Sequence, residues 1–296
     1  MVNMGRLAFN GPVFVMMKYM KTKSGKTLFP IGIGTWNIGG TFTADPSAKY
    51  KGAEPSYDNE AAETDAIRYS ISKGQNHIDC AELYGAFHTD EVVGKAIAGL
   101  EREDLYIADK LWKTSVGKDL VRATVEQMLK KLGTDYLDML YIHAPWDEVN
   151  WQEAIPQIDE LIDEGIVRDF GVSNFTVAEM EQTRKIAKHP IVANQMNYNV
   201  LYKDEVNQEF QDYCRENSIQ LVAYQPVKRR EVLDNKVIQD IAKAHNATAA
   251  QVALAWLLSR DALPIPKAIN KSHIDENIMA TDIKLSAQDL ELLANA

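Results

Sequence analysis

Short β-rich segments alternate with helical patterns along most of this chain, and no other feature restricts its fold as strongly. Each segment is followed by a longer stretch in which apolar residues recur every three or four positions, as on one face of a helix. Eight segments occur, at residues 31–35, 76–79, 105–110, 137–143, 168–173, 191–195, 220–225 and 263–267. This alternation predicts an α/β fold with a parallel sheet, and eight units predict a closed (β/α)₈ TIM barrel.

The barrel is expected to form a single domain over residues 18–296, because no linker or shift in composition divides it. Residues 1–17 are expected to be an N-terminal extension, and a hairpin over 18–28 is expected to turn at Gly25. Extra C-terminal helices are expected near 272–281 and 286–295. Helix starts are predicted at four capping residues, Asp58, Thr176, Thr248 and Ser286.

Charge and cysteine content narrow the class of protein. The net charge of −10 argues against nucleic acid or an anionic membrane surface as a partner. No apolar run approaches the roughly 20 residues that span a bilayer. Cys80 and Cys214 are too few for a disulfide framework and are expected to be free thiols in a reducing cytoplasm.

Three predicted strands end in an ionisable residue and continue into a loop. Asp79 ends the second strand, Lys110 ends the third and His143 ends the fourth. Tyr84 follows in the loop after Asp79. Active sites of such barrels lie at the C-terminal ends of the strands, so these four residues are predicted to form one catalytic rim. The alternative for any one of them is a buried Asp–Lys pair or a core histidine.

Strand alternation separates these residues from their neighbours. Asp109 is predicted to point outward, toward the helices, and His77 to pack in the core of the barrel. His88, His189 and His245 are expected on loop or helix surfaces. The six histidines show no paired ligand spacing, so no metal site is predicted.

Seven short motifs stand in order at the predicted strand ends, and through them the chain resembles the aldo-keto reductase family from about Lys18 to the C-terminus. The motifs are Asp79-x-Ala81-x-x-Tyr84-Gly85, Lys110-x-Trp112, Ile142-His143-x-Pro145, Gly171-Val-Ser-Asn-Phe175, Asn194-Gln195, Tyr224-x-Pro226, and Ile265-Pro-Lys267 followed by Glu276-Asn277.

The resemblance implies reduction of a small aldehyde or ketone to an alcohol by hydride transfer from NADPH. Tyr84 would be the general acid that protonates the carbonyl oxygen. Free tyrosine titrates near pH 10, so Lys110 would stabilise its anion and Asp79 would hold the lysine. His143 would orient the carbonyl oxygen.

The resemblance also implies that NADPH or NADP⁺ lies extended across the barrel mouth, since Gly32-Ile-Gly34 lacks the third glycine of a dinucleotide-binding turn. Polar groups would fix the nicotinamide carboxamide, and Tyr224 would stack on the ring. The expected cofactor contacts are Gly34, Thr35, Trp36, Asp79, Ser173, Asn174, Gln195, Tyr224, Gln225, Pro226, Val227, Arg229, Lys267, Ala268, Asn270, His273, Glu276 and Asn277. The expected substrate pocket consists of Trp36, Trp112, His143 and Trp146.

The chain departs from the family pattern at several positions. His273 stands where the family usually has an arginine for the 2′-phosphate, so a titratable charge replaces a permanent bidentate one. NADPH is therefore expected to be preferred less strongly, with NADH bound at lower affinity. The loop after Tyr224 is short, and Ala144 replaces a pocket tryptophan of some relatives.

Two other functions stay open. One is a non-catalytic or weakly catalytic cofactor-binding regulator, similar to the potassium-channel β-subunit branch of the superfamily. The other is a metal-dependent hydrolase or isomerase barrel. The intact rim argues against the first and the scattered histidines against the second; physiological substrate and oligomeric state are not predicted.

Overall fold

The computed structural model describes residue 22, residues 25–41 and residues 54–296, without the side chains of residues 41, 54, 229 and 230. Its strands are β1 Ile33–Gly34, β2 Gly40–Thr41, β3 Glu54–Pro55, β4 His77–Asp79, β5 Tyr106–Leu111, β6 Leu137–Ile142, β7 Val167–Ser173, β8 Ile191–Asn197, β9 Gln220–Tyr224 and β10 Leu263–Pro264. Its helices are α1 Glu60–Ser72, α2 Thr89–Ile97, α3 Val121–Leu132, α4 Ala154–Asp163, α5 Val177–Ile186, α6 Gln208–Glu216, α7 Arg229–Asp234, α8 Lys236–Ala244, α9 Ala249–Leu258, α10 Lys271–Met279 and α11 Ala287–Ala294.

Within this described part, eight strands form one parallel sheet in the order β1-β4-β5-β6-β7-β8-β9-β10. The first and last strands also meet, because the Gly32 N–H donates to the Pro264 carbonyl at 2.9 Å and the Gly34 N–H donates to the Pro266 carbonyl at 3.1 Å. A Cβ atom at residue 34 would lie 2.4 Å from the Ile265 carbonyl oxygen, so this approach requires glycine. The sheet is closed, and the predicted (β/α)₈ barrel is confirmed.

Alternation along the strands separates two apolar layers. Tyr106 and Ala108 of β5 pack inside the barrel with Met139 and Tyr141 of β6. Ile107, between them in sequence, belongs to the larger layer that joins strands and helices. Burying one large apolar side chain stabilises the fold by ~1.5–3 kcal/mol. A shift of one residue would exchange the two layers, so burial fixes which side chains reach the barrel mouth.

Three of the four predicted helix caps are confirmed. Thr176, Thr248 and Ser286 each accept a hydrogen bond from the backbone N–H three residues on, and each forms a capping box. Such a cap stabilises a helix by about 1 kcal/mol. The prediction for Asp58 is wrong, because α1 begins at Glu60 after Asn59, and Asn59 makes no side-chain cap.

Other predicted segments have mixed outcomes. The extra C-terminal helices are confirmed as α10 and α11. The extension over 1–17 and most of the hairpin over 18–28 lie outside the described residues, although the Gly25 N–H donates to the Thr22 carbonyl at 3.1 Å, as in a turn. The loop after β9 contains α7, which the sequence did not predict. No helix in the part that the structure covers is long and apolar enough to span a bilayer.

Candidate active site

The C-terminal rim of the barrel brings together the four residues predicted to form the catalytic group. Asp79 is the last residue of β4, and Lys110 is the next to last of β5. His143 follows β6 directly, and Tyr84 begins the turn that leads from β4 to α2. Parallel strands end on the same side of a sheet, so each strand returns the chain to this rim.

Lys110 is the centre of the group, and its side chain has no exposure to solvent. Its Nζ donates to Asp79 Oδ2 at 2.8 Å, to the Cys80 carbonyl at 2.6 Å and to the Tyr84 hydroxyl oxygen at 3.4 Å. These three acceptors match the three N–H bonds of the ammonium. Because the Tyr84 oxygen accepts from Lys110, its own hydrogen can point into the pocket.

Burial and neighbouring charges set the protonation states of Lys110 and Tyr84. Burial lowers the pKa of Lys110, but Asp79 and Tyr84 outweigh burial and hold that pKa above its ordinary value. Burial raises the pKa of the Tyr84 hydroxyl, and the Lys110 ammonium opposes this rise only in part. At neutral pH the lysine is therefore an ammonium and the tyrosine a neutral phenol.

Asp79 is held on both carboxylate oxygens. One accepts from Lys110, and the other accepts from Gln195 Nε2 at 2.7 Å. The Thr35 hydroxyl donates to the Asp79 backbone carbonyl at 2.7 Å. The side-chain amide nitrogen of Gln195 is therefore committed to Asp79.

His143 lies among aromatic rings. Its ring centroid is 5.2 Å from Trp112, 6.0 Å from Tyr84 and 6.4 Å from Trp146. Burial, and then the Lys110 ammonium, hold the pKa of His143 well below its ordinary value. The imidazole is therefore neutral at pH 7, and a neutral imidazole both donates and accepts.

The predicted pocket residues form one wall beside the rim. The Trp36 ring meets the Tyr84 ring edge-on at 5.0 Å, and Trp112 meets Trp146 in the same way at 5.0 Å. The structure thus places the three tryptophans next to Tyr84 and His143. A wall of this kind suits an apolar or flat substrate.

The ends of β7, β8 and β9 carry a connected set of polar side chains. The Ser173 hydroxyl donates to the Gln195 backbone carbonyl at 3.0 Å. Asn174 Nδ2 donates to the His143 carbonyl at 3.2 Å, and the Tyr224 hydroxyl donates to Asn174 Oδ1 at 2.9 Å. These bonds fix the predicted carboxamide-binding residues in place beside the catalytic group.

The other predicted cofactor residues lie in three places. Gly34, Thr35 and Trp36 end β1 or follow it, and Gln225, Pro226 and Val227 form the turn between β9 and α7. Arg229 begins α7, and its side chain is outside the described part. The remaining residues are at or near α10: Lys267, Ala268, Asn270, His273, Glu276 and Asn277.

At the start of α10, Lys267, Asn270 and His273 are exposed. Asn270 caps the helix by accepting the Ser272 N–H at 2.9 Å. The positive end of a helix dipole and its free N–H groups favour a phosphate nearby. Asn277, by contrast, is buried on the packed side of the helix.

Sequence reasoning missed two residues at the rim. Glu82 accepts the Trp112 backbone N–H at 2.8 Å and the Ser115 hydroxyl at 2.7 Å, so it holds the loop of a pocket tryptophan. His88, expected on the surface, is only 3% exposed, because Tyr57 and α1 cover it. No spacing rule marks either residue; Glu91, three positions after His88, is the one hint in the sequence.

Known proteins resemble this chain in sequence and in fold. Residues 30–296 match the model of the Aldo/keto reductase family. The glyoxal reductase of Bacillus subtilis (strain 168) is 34% identical over 235 residues, which are 79% of this chain and 82% of that protein. A thermostable aldo-keto reductase in complex with the inhibitor epalrestat is 36% identical, with a TM-score of 0.84 over 94% of this chain and 98% of that one.

A further solved structure, an aldo-keto reductase from Klebsiella pneumoniae in complex with NADPH, is 30% identical, with a TM-score of 0.82 over 94% of each chain. The family model covers most of the sequence, and the closed barrel agrees with these neighbours. This chain belongs to the aldo/keto reductase family of oxidoreductases.

Proposed function

We propose that this protein reduces small aldehydes and ketones to alcohols with NADPH, and that Tyr84 is the general acid. The observation that carries the proposal is the buried contact of Lys110 with both Asp79 and Tyr84. A cation 3.4 Å from the phenol oxygen stabilises the negative charge that develops there as the proton leaves. General-acid catalysis of this kind contributes about 10²–10⁴-fold in rate.

The other rim residues take supporting roles. Asp79 holds Lys110 in place and balances its charge, and Gln195 fixes the second carboxylate oxygen. The neutral imidazole of His143 donates to the carbonyl oxygen and so orients it toward Tyr84. The three acceptors of Lys110 hold its ammonium group in place. The proton that reaches the substrate therefore comes from Tyr84 and not from Lys110.

The polar set at β7–β9 fits a nicotinamide carboxamide, which presents one acceptor oxygen and one NH₂ group. Gln195 offers its carbonyl oxygen to the NH₂ group, because its own amide nitrogen is bound to Asp79. Ser173 and Asn174 face the same place, and the half-buried ring of Tyr224 offers a flat surface for stacking. When bound there, the reduced cofactor supplies the hydride.

The exposed group at the start of α10 supports a preference for NADPH. Lys267 contributes a positive charge, and His273 contributes a ring nitrogen that donates a hydrogen bond. NADH, which has no 2′-phosphate, gains nothing from either side chain. We expect it to bind at lower affinity and not to be excluded.

Substrate choice follows from the tryptophan wall and from a relative. Trp36, Trp112 and Trp146 suit a small apolar or planar carbonyl compound. The relative from Bacillus subtilis is a glyoxal reductase. Glyoxal, a small planar dicarbonyl, is therefore the first substrate to test, followed by an aromatic aldehyde.

The test is the loss of NADPH absorbance when glyoxal is added to the purified protein. The expected result is turnover by wild type, a loss of about 10²–10⁴-fold in kcat for Tyr84→Phe, and equal NADPH binding by both. NADPH binding without turnover of any carbonyl compound would favour a cofactor-binding regulator instead. The same assay on residues 18–296 alone tests the proposed domain boundary, with unchanged activity expected.

A further inference from the structure

The turn that follows Tyr84 is strained. Gly85, Ala86 and Phe87 all have positive φ, at 55°, 54° and 71°. A left-handed conformation is unfavourable for a residue with a side chain, so Ala86 and Phe87 oppose the turn that they form. A Cβ atom at residue 85 would lie 2.3 Å from the Ile38 carbonyl oxygen, so the turn is also tightly packed. Strain of this kind persists where surrounding contacts hold it.

His88 closes the turn and connects it to two helices. Its backbone N–H donates to the Gly85 carbonyl at 3.2 Å. Its Nε2 lies 2.9 Å from Glu60 Oε2 in α1, and its Nδ1 lies 3.2 Å from Glu91 Oε2 in α2. The imidazole therefore lies between two carboxylates, one from each helix. The Tyr57 ring covers the imidazole at 4.4 Å between centroids.

Further contacts bind the same segment to its surroundings. Lys131 Nζ of α3 donates to the Phe87 carbonyl at 2.5 Å, and the Thr89 hydroxyl donates to the Ile38 carbonyl at 2.6 Å. Glu60 is itself fixed by Lys95, whose Nζ donates to its other oxygen at 2.6 Å. The His88 contact is the central one, because it reaches carboxylates of both α1 and α2 from a buried position.

We propose that His88 is a positioning residue for Tyr84: held between Glu60 and Glu91, it keeps the left-handed turn in place and so keeps the Tyr84 hydroxyl against Lys110. This inference rests on the proposed role of Tyr84 as proton donor. The hydroxyl is 3.4 Å from Lys110 Nζ, at the outer limit of a hydrogen bond, so a small movement of the turn separates the two. A displacement of about 1 Å in a catalytic group can cost about 10²-fold in rate.

The test compares His88→Gln with His245→Gln. His245 makes the same kind of contact, Nε2 to Asp289 Oδ2 at 2.9 Å, between the end of α8 and α11. In His88→Gln we expect kcat to fall by about 10–10²-fold, NADPH Kd to stay within about twofold, and backbone amides of residues 84–89 to exchange hydrogen faster. In His245→Gln we expect kcat and the exchange of that segment to stay unchanged.

Should His88→Gln fail to fold, Glu60→Gln provides a second test. The Glu60 side chain is more exposed than that of His88, so its replacement disturbs packing less. Glu60→Gln should also lower kcat. The losses of the two substitutions should not add in the double variant, since each removes the same contact between His88 and Glu60. Unchanged kcat and unchanged exchange in either single variant would overturn the inference, as would additive losses. Should Tyr84→Phe keep wild-type activity, the proposed function fails instead, and amide exchange in His88→Gln still reports whether the turn is held.

Discussion

Replacing Asp109 by asparagine should stabilise the protein more at about pH 8 than at about pH 5. Asp109 points away from the barrel, as predicted, and its carboxyl meets that of Asp90 in α2, with both side chains buried. One oxygen of each carboxyl has no hydrogen-bond partner within the described part of the chain. Burial raises the pKa of Asp109 to about 7, and burial together with Asp109 raises that of Asp90 well above its ordinary value.

The sign and size follow from proton linkage. The ordinary pKa of Asp109 is 3.8, so between about pH 4 and 7 the folded protein holds a proton that the unfolded chain has released. Below pH 3.8, the pKa of Asp109 in the unfolded chain, the raised pKa contributes its full stabilisation. This stabilisation is lost as the pH rises to about 7, the pKa of Asp109 in the folded protein. Each pH unit in that window removes ~1.4 kcal/mol, so the total loss is at most ~4 kcal/mol.

Asparagine removes the titration and keeps the local bonds. Its carbonyl can still accept the Lys110 N–H, which is 2.7 Å from Asp109 Oδ1, and its NH₂ group can donate to Asp90. The gain of the variant over wild type, measured by urea denaturation, should grow by ~1–3 kcal/mol from about pH 5 to about pH 7 and then level off.

Asp104→Asn is the control, because Asp104 is exposed and should show no such gain. If the free energies of unfolding of Asp109→Asn and wild type differed by the same amount at every pH, Asp109 would have the same pKa in the folded and unfolded states. A gain that continues to grow well above about pH 8 would place the titration on another residue.

Three substitutions test the site itself. Tyr84→Phe should bind NADPH normally and lose about 10²–10⁴-fold in kcat, and retention of more than about a tenth of wild-type kcat would exclude it as the acid. Lys110→Met should lose activity and about 3–5 kcal/mol of unfolding free energy in urea, because it leaves buried Asp79 without its cation; a fully active variant would contradict this. His273→Arg should lower KM for NADPH about tenfold and leave that for NADH unchanged, since a charged hydrogen bond is worth about 1.5–3 kcal/mol. Equal effects on both cofactors would show that residue 273 does not face the 2′-phosphate.

The barrel and the placement of its rim residues follow from short-range patterns in the sequence. Alternation along β4 and β5 gives the facing of Asp79, Lys110 and Asp109, because side-chain direction in a strand has period two. The contact between Asp90 and Asp109 does not follow from such a pattern. It depends on how closely α2 packs on β5, and a single sequence carries no signal for that distance.

Local conformation was harder to predict where packing opposes propensity. Ala86 and Phe87 are poor candidates for a left-handed turn, and only the contacts around His88 account for it. At α1, Asp58 and Asn59 are about equally good caps by residue preference, and the helix begins at Glu60, directly after Asn59. At the turn after Tyr84, contacts with α1, α2 and α3 override the preference of Ala86 and Phe87.

The hydrogen bonds that join β1 to β10 connect residues more than 200 positions apart, and this separation bears on how the protein folds. Contacts between distant residues form slowly, because a long loop must close before they contribute. During synthesis β1 is made before the other strands of the barrel. The edge of β1 that pairs with β10 stays unpaired until β10 has left the ribosome. Both strands are two residues long, so the unpaired edge of β1 is short. The junction between β1 and β10 is short for the same reason, and few hydrogen bonds hold it. This junction should be the last part of the barrel to form and the first to open.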